Sequence, residues 1–254
     1  MPDLLALDWG LILPFILIGF GAQLVDGALG MAYGTISNTL LISAGVPPAA
    51  ASASVHTVET FTTGASGLSH LLHRNVDGRL FAKLVIPGVI GGVAGASLLA
   101  HLHADAAKPV VLAYLACLGV YLLVRGLRYP PVEKPPRVIA PLGLIGGFLD
   151  AAGGGGWGPI VTSNLLVQGA NPRKTIGTVS AAEFFLTLTV SATFLVHLGP
   201  AAFSQMALGL LVGGILAAPF GAWFAKHVSS KVLLILVGTV LTLTSAYGVW
   251  RALA

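Results

Sequence analysis

Four acidic residues in this chain lie within long apolar segments, and they form two pairs with the same spacing. Asp26 and Asp150 are 124 residues apart, and so are Glu59 and Glu183. A charge at bilayer depth costs roughly 3 kcal/mol by insertion scales, so such residues usually line an ion or substrate path. Because both members of each pair are acidic, we infer that one unit was duplicated and kept its carboxyl groups.

Other residues recur at the same offset: Gly34 and Gly158, Gly45 and Gly169, Pro48 and Pro172, Phe61 and Phe185, and His73 and His197.

Composition excludes a soluble domain, because 56% of the residues are hydrophobic and 9% are charged. The chain is therefore predicted to be a polytopic membrane protein. Its net charge of +4 does not imply a nucleic-acid partner, since the basic residues lie in short loops, where they indicate which side of the membrane each loop faces.

Two further sequence features narrow the class of protein. Cys117 is alone in an apolar run, so neither a disulfide framework nor a cysteine metal site is expected. The first residues include Asp3 and Asp8 rather than lysines, and no small-residue cleavage site follows. No signal peptide is therefore expected, and the first apolar run should stay in the mature protein.

Each copy contains five apolar segments. They run approximately over 11–25, 29–46, 49–72, 80–102 and 109–127, and then over 139–149, 157–169, 175–197, 203–225 and 232–250. A connector with Pro130, Pro131, Pro135 and Pro136 cannot form a continuous helix. We therefore divide the chain into a first membrane repeat (1–128), a proline-rich cytoplasmic connector (129–137) and a second membrane repeat (138–254).

The first two segments of each copy are too short for a full crossing, which needs about 20 residues. Glycine-rich stretches join them, residues 26–30 in one copy and 150–156 in the other. Either each pair crosses once, or it forms a hairpin that returns to its starting side. The returning hairpin gives the stronger charge asymmetry, because it leaves Lys108 and Arg251 alone on one side. The other side then holds Arg74, Arg79, Lys83, Arg125, Arg128, Lys134, Arg137, Arg173, Lys174, Lys226 and Lys231.

This topology places both termini outside, with Trp9 and Trp250 at one interface. Because five segments is an odd number, the second repeat enters the membrane from the opposite face. The predicted fold class is therefore an all-α polytopic membrane protein with two inverted repeats, each beginning with a short glycine-rich helical hairpin. Inverted repeats with broken helices are typical of secondary transporters.

The hairpin tips are the predicted anion site. A helix that starts inside the membrane leaves backbone N–H groups without partners, and glycines let a ligand approach them closely. The candidate substrate-binding residues are Gly30, Tyr33, Gly34, Asn38, Gly153, Gly154, Gly155, Gly156, Trp157, Thr162, Ser163 and Asn164, with Ser37 as a further donor. The alternative is that the glycines only permit close helix packing.

The predicted proton-coupling residues are Glu59, Glu183, Asp26, Asp150 and His56. Ser52, His56, Glu59, Thr63, Ser66 and His70 form one polar stripe on the third segment. Burial favours the neutral form of a carboxyl group, so the glutamates are candidate proton carriers. A purely structural hydrogen bond is the alternative for them, and helix capping is the alternative for both aspartates.

The histidines raise the question of a metal site. His70 and His73 are one turn apart, and His101 and His103 are close in sequence, but the topology puts the two pairs on opposite faces. We therefore expect solvated interface residues and no metal. The chain also has no HExxH motif and no convincing catalytic triad, so it is not expected to be an enzyme or to need a cofactor.

The chain resembles the TauE/SafE family of membrane permeases over nearly its whole length. The resemblance is carried by residues 25–34, by residues 45–54, by the glycine run through Trp157-Gly158-Pro159, and by residues 178–185. It departs from the family pattern at Leu29, Met31 and Ala32, which replace part of the usual glycine cluster. We therefore expect the second hairpin to hold most of the anion contacts.

The resemblance implies transport of a small anion, typically sulfite or an organosulfonate, by proton-coupled export across the bacterial cytoplasmic (inner) membrane. Its expected partners are that anion, protons and the lipid bilayer, and a homodimer is left open as the assembly state. Two alternatives remain for the function. One is a passive anion channel, which would need no protonatable groups, and the other is an uptake permease for a sulfur-containing anion.

Overall fold

The structure, a computed structural model, describes residues 8–128, 135–200, 205–227 and 230–253. These ranges are helical with short loops and contain no strand, so the all-α prediction is confirmed for them. The helices of the first half are α1 (Trp9–Leu29), α2 (Tyr33–Ser43), α3 (Pro48–Leu72), α4 (Gly78–His101) and α5 (Ala104–Leu127). In the second half, α6 (Ala140–Gly153) precedes a π-helical segment (Trp157–Thr162) that continues into α7 (Ser163–Val167), followed by α8 (Pro172–Leu198), α9 (Met206–His227) and α10 (Ser230–Leu253).

Several predicted boundaries differ from the structure, and those of the first segment are among them. This segment was predicted to be a short run over 11–25, but α1 has 21 residues and is about 31 Å long. A glycine inside a helix costs about 1 kcal/mol without ending it, so Gly27 does not stop α1. The helix ends at Gly30, which adopts the left-handed conformation (φ 64°). The start of the predicted segment at 203 and residues 129–134 of the connector lie outside the described residues.

The outer surface of the bundle is apolar. Leu17 is 71% exposed, Ile86 64% and Val196 82%, each on a different helix. Among the described residues, two stretches, Gly78–His101 and Lys174–Leu198, are long and apolar enough to cross a bilayer, and four shorter apolar helices accompany them. An apolar exterior of this kind suits a lipid environment.

The second hairpin begins and ends at the same end of the bundle. Gln168, just after α7, accepts the backbone N–H groups of Arg137 (2.9 Å) and Val138 (3.0 Å), just before α6. Its amide also donates to the Val138 carbonyl at 3.2 Å. Lys174 donates from Nζ to the Arg74 carbonyl at 2.7 Å, so the α3–α4 loop lies at this end too.

Helices of the two halves pack against each other in an exchanged pattern. The first helix of each half packs on the fourth helix of the other, α1 on α9 and α6 on α4, while α3 crosses α8 and α5 packs on α10. Glycine permits these close approaches: a Cβ on Gly95 would lie within 3.1 Å of the Ala152 nitrogen, and a Cβ on Gly67 would lie 3.0 Å from the Ala181 Cα. The exchange brings both hairpin tips to the middle of the bundle.

Candidate functional site at the two hairpin tips

The two hairpin tips have the same backbone geometry. Gly30 ends α1 with φ 64° and ψ 33°, and Gly154 ends α6 with φ 71° and ψ 37°. In each tip the glycine N–H donates to the carbonyl of the aspartate four residues earlier, Asp26 or Asp150. Only glycine adopts this left-handed conformation readily, so these positions end the helices.

The same aspartates also cap the helix that follows each tip. Asp150 Oδ1 accepts the backbone N–H of Trp157 at 2.8 Å, and Asp26 Oδ1 accepts that of Tyr33 at 3.4 Å. Both contacts span seven residues, and both satisfy an N–H that has no partner within its helix. The capping role that the sequence left open is therefore present at both tips, with the shorter contact in the second hairpin.

The tips pack directly against each other. A Cβ on Gly155 would lie 2.5 Å from the Thr35 nitrogen, and one on Gly158 would lie 2.7 Å from the Met31 Cβ. Asn38 of α2 donates from Nδ2 to the Gly153 carbonyl at 3.3 Å. Residues that lie more than 100 positions apart in the sequence thus share one buried centre.

A histidine joins the second tip to α3. His56 Nε2 lies 3.0 Å from Asp150 Oδ2, and the two side chains are 0% and 4% exposed. His56 Nδ1 lies 2.7 Å from the Ser52 carbonyl, and the Ser52 hydroxyl donates to the Ala151 carbonyl at 2.9 Å. Nδ1 therefore carries a proton for that carbonyl, and Nε2 faces the carboxylate.

The four duplicated carboxyl groups come together in one cluster. Glu59 is 5% exposed, and its Oε1 would lie 2.7 Å from a Cβ on Gly34 at the start of α2. Glu59 lies within electrostatic range of Asp26 and Asp150, and Glu183 lies within range of all three. The carboxyl groups of the two pairs therefore influence one another's charge, with Glu59 and Asp150 buried and Asp26 and Glu183 half-buried.

Several buried polar atoms on the helical segments that follow the tips have no partner among the described residues. They include Ser37 Oγ, Asn38 Oδ1 and Thr162 Oγ1, on side chains that are fully buried. Positions 38 and 162 are equivalent in the duplicated sequence. A buried polar group without a partner is costly, so such groups often mark a place where a ligand binds.

A sequence profile described as sulfite exporter TauE/SafE matches residues 15–248. The chain belongs to the TauE/SafE family. A protein of Bacillus subtilis (strain 168), named probable membrane transporter protein YtnM, is 44% identical over 244 residues, which cover 92% of this chain and 81% of that protein. No solved structure matches the chain. The molecule is thus a multi-pass membrane transporter with a small-molecule substrate.

Not every predicted contact residue of this TauE/SafE chain points toward the tips. Tyr33 donates its hydroxyl to the Leu210 carbonyl at 2.8 Å, and Trp157 donates its indole N–H to the Val179 carbonyl at 3.2 Å. Asn164 donates to Ile160 in its own helical segment at 2.7 Å. Ser163 contacts Met31, with 3.6 Å between Oγ and Sδ. Tyr33 and Trp157 can therefore offer an anion their backbone N–H groups but not these side-chain donors.

Sequence reasoning missed one residue at the second tip, Tyr114 of α5. Its hydroxyl donates to the Gly155 carbonyl at 3.1 Å, and its ring occupies the space beside Gly153 and Gly156. Position 238, the duplicated equivalent, is glycine, so the search for repeats could not find it. A polar hydroxyl within the apolar run 109–127 was the available signal.

The histidines that lie close together in space are not the ones that lie close together in the sequence. His101 and His197, at the ends of α4 and α8, have ring centroids 4.9 Å apart. His70 and His73 stay near the α3–α4 loop, where His73 Nδ1 contacts the Ser69 carbonyl at 2.8 Å. Within the described ranges, no three histidine, cysteine or acidic side chains are arranged to hold a metal ion.

Proposed function

We propose that this TauE/SafE chain exports a small anion, sulfite or an organosulfonate, across the bacterial cytoplasmic membrane in a proton-coupled cycle. The observation that carries the proposal is the meeting of the two glycine tips beside the buried carboxyl groups of Glu59 and Asp150. The family description, sulfite exporter, supports the substrate class and the direction. The tips supply donors for the anion, and the cluster supplies proton-binding groups.

The membrane arrangement that we propose is a pair of inverted repeats, 1–128 and 138–254, with re-entrant hairpins and both termini outside. Contacts between α3 and α8 support it. Thr57 donates to Ser191 at 3.4 Å, and Gly67 packs on Ala181. Residues 57 and 181 are equivalent in the repeats, and so are residues 67 and 191. Exchanging the two repeats therefore converts the contact between 57 and 191 into the contact between 181 and 67. A two-fold relation between the halves produces this pattern.

The anion site lies, in this proposal, between the tips. The backbone N–H groups of residues 33 and 157 start helical segments inside the bundle, where the partial positive charge favours an anion. The glycines add no side chain of their own at the tips, and Thr162 adds an unpartnered hydroxyl. A sulfonate or sulfite has several oxygens and can accept from several of these donors at once.

The acidic cluster supports proton coupling. An anion that enters a site with Asp26, Glu59, Asp150 and Glu183 nearby would be repelled if all four were charged. Protons bound to some of these groups, or to His56 beside Asp150, remove that repulsion. A passive channel has no need for such buried titratable groups, so their presence favours a coupled transporter.

A binding screen of the purified protein tests this function. Sulfite, sulfate, thiosulfate, sulfoacetate and taurine are compared by thermal shift, with chloride as the reference anion. We expect at least one sulfur oxyanion to raise the unfolding temperature, because a ligand that binds only the folded state stabilises it. The proposal fails if none of them differs from chloride and a neutral organic solute stabilises the protein instead.

A further inference from the structure

The backbone N–H of Trp157 is already occupied by an anionic group of the protein. Asp150 Oδ1 accepts it at 2.8 Å, and the Asp150 side chain is almost completely buried. In the anion site proposed above, this same N–H is a donor for the substrate. The Asp150 carboxylate therefore accepts the hydrogen bond from Trp157 that a substrate oxygen would need.

Two anionic groups cannot both accept from the Trp157 N–H without strong electrostatic repulsion. Two unit negative charges about 4 Å apart repel each other by about 4 kcal/mol at an effective dielectric constant of about 20. The other titratable groups that face the His56–Asp150 pair are Glu59 on α3, Glu183 on α8 and Tyr114 on α5. Each carboxyl group that is ionised increases this repulsion, and Tyr114 is a neutral hydroxyl that donates to the Gly155 carbonyl.

The structure provides a place for a proton at this point. His56 Nε2 lies 3.0 Å from the second carboxylate oxygen of Asp150, Oδ2. Because His56 Nδ1 donates to the Ser52 carbonyl, this contact already holds one proton between Nε2 and Oδ2. A second proton raises the net charge of the His56–Asp150 pair by one unit and makes Asp150 a weaker acceptor for the Trp157 N–H. An incoming anion can then take that donor. Thr162 Oγ1, buried and without a partner among the described residues, lies in the same helical segment and is a further donor.

We infer that the substrate anion and a proton bind together at the second hairpin tip and cross the membrane in the same direction. This inference rests on the proposed anion transport and adds the direction in which the proton moves relative to the anion. A monovalent anion and one proton form a neutral cargo. The flux then follows the anion and pH gradients and not the membrane potential, and export runs down the concentration gradient of the anion.

The test is calorimetric binding of two anions whose charge is constant over the range used, methanesulfonate and sulfate, at about pH 5.5 and about pH 8. We expect tighter binding at the lower pH, by up to about tenfold per pH unit for one linked proton. Titrations in buffers of different ionisation enthalpy should show that protons are taken up when the anion binds. Proton release, weaker binding in acid, or equal binding at both pH values overturns the inference. Absence of binding at either pH contradicts the proposed function itself.

Two isosteric variants locate the proton. Asp150→Asn keeps an oxygen acceptor for the Trp157 N–H and removes the charge, so we expect tighter binding at about pH 8 and loss of most proton uptake. Asp77→Asn is the matched control, because Asp77 also caps a helix, accepting the Arg79 N–H at 2.9 Å, but lies in the α3–α4 loop and not at the tips. It should keep the proton uptake. If folded Asp150→Asn protein, checked by its unfolding temperature, takes up as many protons as the wild type, the role of Asp150 is excluded.

Discussion

His56 on α3 lies 3.0 Å from Asp150 at the second hairpin tip, and this buried pair joins the two halves of the sequence. The equivalent of His56 in the second half is Ser180, so the two tips differ in this contact. The second tip is also held by Tyr114 and Asn38, which donate to the Gly155 and Gly153 carbonyls. The duplicated chain has thus acquired one tip with an acid–base pair and one without.

Loss of the His56 side chain should destabilise the protein strongly. His56→Ala leaves the Asp150 carboxylate buried without its partner, and removing one member of a buried pair costs about 3–5 kcal/mol. Thermal or denaturant unfolding in detergent measures the effect. Ser180→Ala is the matched control at the equivalent position and should cost about 1 kcal/mol. Equal losses in the two variants would show that the His56–Asp150 contact does not stabilise the tip.

The left-handed glycine at the second tip should be essential for the site. Gly154 has φ 71°, and a Cβ there would overlap the Asn38 side chain. Gly45 has φ 98°, but a Cβ there meets nothing within 4 Å. Both alanine variants should lose about 1–2 kcal/mol from backbone strain, and only Gly154→Ala should also lose anion binding. A Gly154→Ala protein that binds anions like the Gly45→Ala protein contradicts the proposed location.

The unpartnered hydroxyl of Thr162 should contribute to anion affinity. Thr162→Val keeps the shape of the side chain and removes the donor, so the dissociation constant should rise about tenfold, as expected for one lost hydrogen bond. Ser245 of α10 also has a buried hydroxyl without a partner among the described residues. Ser245→Ala should leave the affinity unchanged. The two variants are compared by the same calorimetric titration, and equal affinities would remove Thr162 from the site.

The inverted topology predicts opposite accessibility for the ends of the two hairpins. Single cysteines are placed at the exposed positions Ala44, after α2, and Asn171, after α7, in a Cys117→Ala background. A membrane-impermeant thiol reagent applied to intact cells should label position 44 and not position 171. Labelling of both positions from the same side would exclude inverted repeats.

The sequence predicted the parts of the structure that depend on local chemistry. Asp26 and Asp150 could be identified as candidate caps because helix caps have strong residue preferences. The return of the second hairpin could be predicted from charge in the loops, and Gln168 now joins its two ends. The length of α1 was wrong, because a single internal glycine is a weak signal for a helix end.

Contacts between distant segments could not be predicted from the sequence. The polar stripe placed His56 toward the interior, but which acidic group it meets depends on how α3 packs against α6. Tyr114 was missed for the same reason, because its partner Gly155 lies in the loop after α6, in the other repeat. The side chains of Tyr33 and Trp157 were expected at the anion, but packing directs their polar atoms to backbone carbonyls.

Anion flux in proteoliposomes tests the central claim most directly. Uptake of a labelled sulfur oxyanion is measured with and without an imposed pH difference, for the wild-type protein and for Asp150→Asn. We predict saturable uptake that the pH difference accelerates in the wild type, and loss of that acceleration in Asp150→Asn with anion binding retained. Flux that is indifferent to the pH difference in both proteins, or unitary currents typical of a channel, would contradict proton-coupled transport.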